Sequence, residues 1–210
     1  MRYRAQSSQL NIVRYSVQAF FIKRFTLENL ATKIASVLKA HRKEKGWSLD
    51  ITSQKTGVSK AMLGQIERGE SSPTIATLWK IASGFGVSFS SFVEDTTSRE
   101  SHVHRSAFRQ VHPADDKIRV LPLFPYDEEL RFEVFIIELL PGCEHLSPPH
   151  QKGVAEHVIV SQGEIEVLVN GSWVHLQENE GLHFDASLPH GYRNISTTKA
   201  VFHDIIHYGE

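Results

Sequence analysis

The sequence predicts a two-domain chain, an all-α bundle of five short helices followed by an all-β barrel or sandwich, and three observations predict it. Apolar residues up to residue 93 recur at helical spacing between glycine breakers. From Ile118 onward the chain breaks into short β-branched runs separated by turn signals. Charge and histidine divide near the same place. Residues 1–95 hold 14 basic and 7 acidic residues, net +7, whereas 96–210 hold 9 and 17, net −8, and eleven of the 12 histidines follow residue 100. The overall charge of −1 hides this split, which points to one half that faces nucleic acid and another with separate chemistry.

A chain of 210 residues is long enough for two modest domains, each with its own core. The expected organisation is an N-terminal extension over 1–27, the helical bundle over 28–95, a polar linker over 96–117 and the β domain over 118–210. No run reaches the roughly 20 apolar residues of a membrane span, and Met1–Leu10 lacks the apolar core of a secretory signal. Cys143 is the single cysteine and has no internal partner for a disulfide, which agrees with a reducing compartment. A soluble, cytoplasmic protein is expected. Within 1–27, Val17, Phe20, Phe21 and Phe25 form an apolar cluster that fits either an added helix or an untethered leader.

In the first half, Leu30, Ile34, Val37 and Leu38 lie on one face of a helix over Glu28–Lys45 that Gly46 ends. Leu49–Thr56 precedes Gly57, and Lys60–Arg68 precedes Gly69 with Ser59 as its N-cap. Ser72 with Pro73 opens a fourth helix that Gly84 ends, and Ser88 opens a fifth over Phe89–Val93. Gly57-Val58-Ser59 makes a tight turn between two helices. Beyond it Leu63 and Ile66 point inward, while Lys60, Ala61, Met62 and Gln65 form an outward stripe suited to base edges: Lys for guanine, Gln for adenine, and apolar atoms for the thymine methyl. Ser59 and Arg68, at the helix ends, suit phosphates.

The stretch from Gly57 through Ile-Glu-Arg-Gly and Ser-Pro-Thr to Ala82 resembles the recognition helix and following helix of the XRE (Cro/C1-type) helix-turn-helix family, with a match over roughly residues 30–93. The resemblance implies double-stranded operator DNA as partner. A bundle used only for protein contacts is the alternative. The helix before the turn departs from the family at Thr52 and Ser53, where Leu and Ala are usual. Ile51 is therefore expected to supply the missing apolar contact, with a loosely packed second helix as the consequence.

In the second half the turn signals are Pro125-Tyr126-Asp127, Pro141-Gly142, Gln162-Gly163, Asn170-Gly171, Glu180-Gly181 and Pro189-His190-Gly191. Asn170-Gly171 between Ile165–Val169 and Trp173–Leu176 is a two-residue hairpin signal. His150 and Glu156 stand about forty residues before His190, and two imidazoles with a carboxylate make a candidate facial triad for a divalent metal. Pro141-Gly142, His150, Glu156 and Gly163 resemble the first cupin motif, and Gly181 through Pro189-His190-Gly191-Tyr192-Arg193-Asn194 the second. That resemblance implies a double-stranded β-helix barrel with His150, Glu156 and His190 in its mouth. The usual further histidine, two positions before His150, is here Pro148, and His145 or Cys143 replaces it only if the loop folds back.

A metal-free pocket that hydrogen-bonds an effector is the other reading of the triad; a metal there would be zinc, iron, manganese or nickel. Tyr192 and Phe184 join His150, Glu156 and His190 as candidate effector contacts. Strand alternation turns His157 away from Glu156, and sets His203 and His207 opposite Asp204. The combined resemblance implies a DNA-binding transcriptional regulator, a homodimer with no membrane association, whose barrel senses a small molecule. The alternative is a metal-dependent cupin oxygenase or isomerase with an accessory DNA-binding domain.

Overall fold

A computed structural model of the chain describes residues 30–93 and 115–209. The extension over 1–27 and most of the expected linker lie outside the described residues. The bundle comprises α1 (residues 30–44), α2 (Leu49–Thr56), α3 (Lys60–Glu67), α4 (Ile75–Phe85) and the single turn α5 (Ser90–Val93). Its core is the inward stripe of the sequence, with Ile34, Leu38, Leu63, Ile66, Leu78 and Ile81 fully buried. Arg42 of α1 clamps Glu67 at the end of α3 with two hydrogen bonds of 2.5 and 2.8 Å, which fixes the height of α3 in the bundle.

Two helix boundaries differ from the sequence reading. Thr74, not Ser72 with Pro73, caps α4: its side chain accepts a hydrogen bond from Thr77 N. Gly84 is not a terminator. It lies inside α4, where a Cβ would stand 2.6 Å from Thr56 Cγ2 and 2.7 Å from Thr56 Cα, so glycine is what lets α4 cross α2 in close contact, and the left-handed cap is Gly86 (φ 72°). The expectation for α2 also fails. Ile51 is 40% exposed, and Thr52 is fully buried in its place. Thr52 Oγ1 donates to Ser48 O, and Thr56 Oγ1 donates to Thr52 O and accepts from Val58 N. With their hydroxyls satisfied by backbone groups, Thr52 and Thr56 serve as small core residues, and α2 is packed rather than loose.

The β domain comprises β1 (Ile118–Asp127), β2 (Phe132–Leu139), β3 (Cys143–Ser147), β4 (Val154–Gln162), β5 (Ile165–Val169), β6 (Ser172–Leu176), β7 (Gly181–Asp185), β8 (His190–Asn194) and β9 (Ala200–Tyr208). They form two antiparallel sheets, β1-β2-β9-β4-β7 and β3-β8-β5-β6, rather than one closed hydrogen-bonded barrel. Pro125 does not make a turn. It sits in β1, an edge strand irregular between Phe124 and Asp127, where a missing N–H costs the ladder nothing. Asn170 and Gly171 do form the expected tight hairpin, both with positive φ (51° and 76°). Between the sheets Phe135, Val158, Val167 and Phe202 are buried.

Bundle and β domain pack together through α4 and α5. Ser90 N donates to Glu133 Oε2 (3.0 Å), Tyr126 N to Ser90 Oγ (2.9 Å), Gln151 Nε2 to Ser83 O (2.7 Å), and Ile75 N, at the start of α4, to Asp115 Oδ2 (3.0 Å). The aromatic rings of Trp79, Phe89 and Phe135 fill the seam, with Trp79 4.8 Å from Phe89 and 6.2 Å from Phe135 between centroids.

Candidate functional site

Two regions carry chemistry. On α3, Leu63, Gly64 and Ile66 are buried, and Lys60, Ala61, Met62 and Gln65 are exposed on the opposite face, as the helical spacing predicts. Ser59 is the N-cap and accepts from Met62 N at 3.2 Å. Lys60 pairs with Asp50 (2.8 Å), and Arg68 pairs with Glu70 through two 2.7 Å bonds. These exposed pairs contribute little stability, so a phosphate or base edge can replace their carboxylates.

The second region lies between the sheets. Strands β4 and β8 bring Glu156, His190 and Tyr192 inward, and the segment after β3 adds His150; the ligand atoms of His150, Glu156 and His190 all lie within 4.8 Å of one another, and all three residues are buried. His150 Nε2 bonds Glu156 Oε1 at 2.8 Å, Tyr192 OH donates to Glu156 Oε2, and His190 Nε2 stands 3.4 Å from Glu156 Oε1 without a hydrogen bond to it. His190 Nδ1 meets Leu188 O at 2.8 Å. As the carbonyl oxygen accepts only, Nδ1 carries the proton and Nε2 is turned towards Glu156, the arrangement in which outer partners orient metal-binding imidazoles. A buried imidazole nitrogen left without a partner, beside a carboxylate and a second imidazole, is what a divalent ion would satisfy; the donor set fits one.

Burial pushes the Glu156 carboxyl up, but its bond to His150 and the neighbouring imidazole of His190 outweigh this and hold it well below the usual carboxylate range. Burial likewise disfavours a charged His190, and the adjacent Glu156 outweighs it, raising His190. Asp204, on β9, behaves oppositely: burial first, then the charges of Glu156 and Glu133, push it far above the carboxylate range. Tyr192 is raised by burial, then by Asp204 and Glu156.

Other sequence-predicted residues are distributed differently. Phe184 stands 5.5 Å from His190, and the two line a cavity of about 230 Å³ with Leu182, His183, Asp185 and Leu188, separate from the cavity that His150 and Glu156 line. His145 does face the cavity of His150 and Glu156, where burial and His190 lower it to about 4, yet it is outside the three-residue cluster. Cys143 is buried, and burial raises its thiol to about 11, so it fills space. His157 is turned outward against His183, 4.7 Å away. Sequence reasoning missed Asp204 and Trp79 as site residues. For Asp204 a signal existed: an acid at the inward position between Phe202 and Ile206. For Trp79 none did, because its partner His150, 4.4 Å away between ring centroids, belongs to the other domain.

A helix-turn-helix bundle joined to a β domain with a buried His-Glu-His cluster defines the class: a DNA-reading module fused to a cupin. Comparison with known proteins agrees. The chain matches the helix-turn-helix family over residues 38–92 and the cupin domain family over residues 135–206. It is 46% identical over 182 residues to the HTH-type transcriptional regulator SutR of Escherichia coli K12, spanning 87% of this chain and 98% of that protein. It is 42% identical to a crystal structure of a helix-turn-helix family transcriptional regulator from Vibrio cholerae, which covers 87% of this chain and 99% of that one with a TM-score of 0.76. The regulator SinR of Bacillus subtilis matches the bundle alone, 35% identical over 68 residues, 32% of this chain and 61% of that protein. The chain belongs to the helix-turn-helix transcriptional regulators that carry a C-terminal cupin domain. Among the described residues no helix is long and apolar enough to cross a membrane.

Proposed function

We propose that the chain is a sequence-specific regulator in which α3 reads operator DNA and the cupin domain binds a small effector. The observation that carries it is the face of α3: Leu63 and Ile66 anchor the helix in the core while Lys60, Ala61, Met62 and Gln65 stand exposed on its far side. Ser59 and Arg68, at the two ends, hold phosphates. A homodimer presents two such helices about 34 Å apart to two half-sites. His150, Glu156 and His190 hold a zinc, iron, manganese or nickel ion, which would supply a Lewis-acid anchor for the effector; Tyr192 orients Glu156, and Phe184 backs His190.

The test selects bound fragments from a random duplex pool with the purified full chain, then measures Gln65→Ala on the winning fragment. A preferred sequence that Gln65→Ala loses supports the reading. A pool that returns no preferred sequence overturns it. The triad favours a second reading, a metal-dependent oxygenase or isomerase with an accessory DNA-binding domain; turnover of a substrate by the metal-loaded chain, lost in His190→Ala, would promote it.

A further inference from the structure

The cavity that holds His150 and Glu156 is walled by both domains. Ile75, Trp79 and Phe89 of the bundle line it together with Ile118, Val120, Phe135 and Ile137 of the β domain, over a polar floor of His150, Glu156 and Asp204. Its volume is about 20 Å³, room for a single water. Yet the floor is unsatisfied: His150 Nδ1 and Asp204 Oδ1 are buried without hydrogen-bond partners among the described residues, as is His190 Nε2 beside Glu156. A floor with two open polar atoms under a water-sized space requires a wall that moves when a ligand enters.

Which wall moves follows from how each is held. On the β side, β2 is paired with β1 and β9, and β4 with β7 and β9, so a ligand pushing there works against two continuous ladders. The bundle side rests on ring contacts and on isolated hydrogen bonds, one of which, Gln151 to Ser83 O, is exposed. Behind Trp79, α4 has no slack: Gly84 already touches Thr56 of α2 as closely as backbone permits. A shift of α4 therefore carries α2, and α3, which packs against α2, as a body.

We infer that Trp79, with Ile75 and Phe89, forms the movable wall of a ligand site shared between the domains, and that occupancy of this site reaches the DNA-reading helix as displacement of α4. The inference rests on the reading of the cupin domain as the sensing half, and adds its ligand chemistry and its route. The ligand is compact, with an apolar body against Trp79, Ile75 and Phe89 and a hydrogen-bond-donating or metal-bound head over Asp204 and Glu156. A metal ion alone engages the same wall. His150 Nε2 and Glu156 Oε1 are 2.8 Å apart, whereas two ligand atoms on one tetrahedral zinc stand about 3.3 Å apart, so the ion spreads the pair and presses the His150 ring against Trp79.

The experiment labels the three tryptophans of the full chain with fluorotryptophan, assigns each fluorine resonance from a single Trp→Phe variant, and titrates zinc. The expected result is a saturating shift of the Trp79 resonance, with Trp47 and Trp173 unmoved, abolished in His150→Ala. Calorimetry of the unlabelled chain gives zinc affinity independently, and Trp79→Ala binds zinc at least as tightly as the parent because the wall has been removed. Zinc that binds while the Trp79 resonance stays put overturns the shared wall and leaves the sensing reading intact. Weaker binding by Trp79→Ala overturns it too, making Trp79 a fixed support for His150. No zinc binding by the parent chain overturns the metal-driven movement of the wall and removes zinc from the ions that the triad holds.

Discussion

The α3 face and the triad are opposite kinds of site. The outward stripe of α3 is solvated, its charged groups held only by exposed pairs such as Lys60 with Asp50, because its partner lies outside the chain. The triad is buried, and its members are held by one another: Glu156 alone takes bonds from His150 and Tyr192 and lies within 3.4 Å of His190. A site of the first kind can be altered at little cost to the fold. A site of the second kind is part of the fold, so its chemistry and its stability cannot be changed separately.

The sharpest way to break that contrast is Glu156→Ala. It leaves two histidines and a tyrosine facing an empty, buried space, and removing one partner of a buried ionic cluster costs about 3–5 kcal/mol. The expected outcome is a large fall in the urea midpoint of the cupin domain, and a fall no greater than that of a surface substitution would show that the triad is not structural.

On the other side, Lys60→Ala and Gln65→Ala should each weaken binding to the preferred fragment by about 1–3 kcal/mol and leave the unfolding midpoint where it was. Equal losses on random duplex would reassign the residue to phosphate contact. Between these extremes stands Gly84→Ala, which buries nothing polar but drives a methyl into Thr56. Overpacking of this kind costs about 1–3 kcal/mol, read as a lowered bundle midpoint; an unchanged midpoint would mean that α4 and α2 separate freely.

How much of each region was legible follows the same division. The α3 face could be read in full because it depends only on local spacing: Leu63 and Ile66 inward, Lys60 and Gln65 outward. The triad was legible through two motifs whose strands, β4 and β8, hold inward parity. What local pattern does not encode is contact between distant segments. Gly84 looked like a stop because glycine ends helices more often than it packs them, and the Thr56 that it meets is twenty-eight residues earlier in the chain. Pro125 looked like a turn because its tolerance depends on β1 being an edge strand. Trp79 against His150 required both domains to be placed.

The junction between the two regions offers the finest test. Glu133 is fully buried beneath α5, where it accepts from Ser90 N and from Tyr208 OH, yet burial outweighs these bonds and raises its carboxyl above the ordinary value. A carboxyl raised in the folded state binds its proton more tightly there than in the unfolded chain. The sign follows from linkage: stability from this group is full below the unfolded value of about 4.3 and declines as pH rises from there through the raised folded value. Glu133→Gln keeps a carbonyl to accept from Ser90 N and has no proton to lose. Thermal midpoints of the two proteins should therefore converge in acid and separate in favour of Glu133→Gln as pH rises to neutrality. Parallel curves would mean that Glu133 holds its charge at the seam, and that the bundle is tied to the cupin domain by an ionic contact rather than a neutral one.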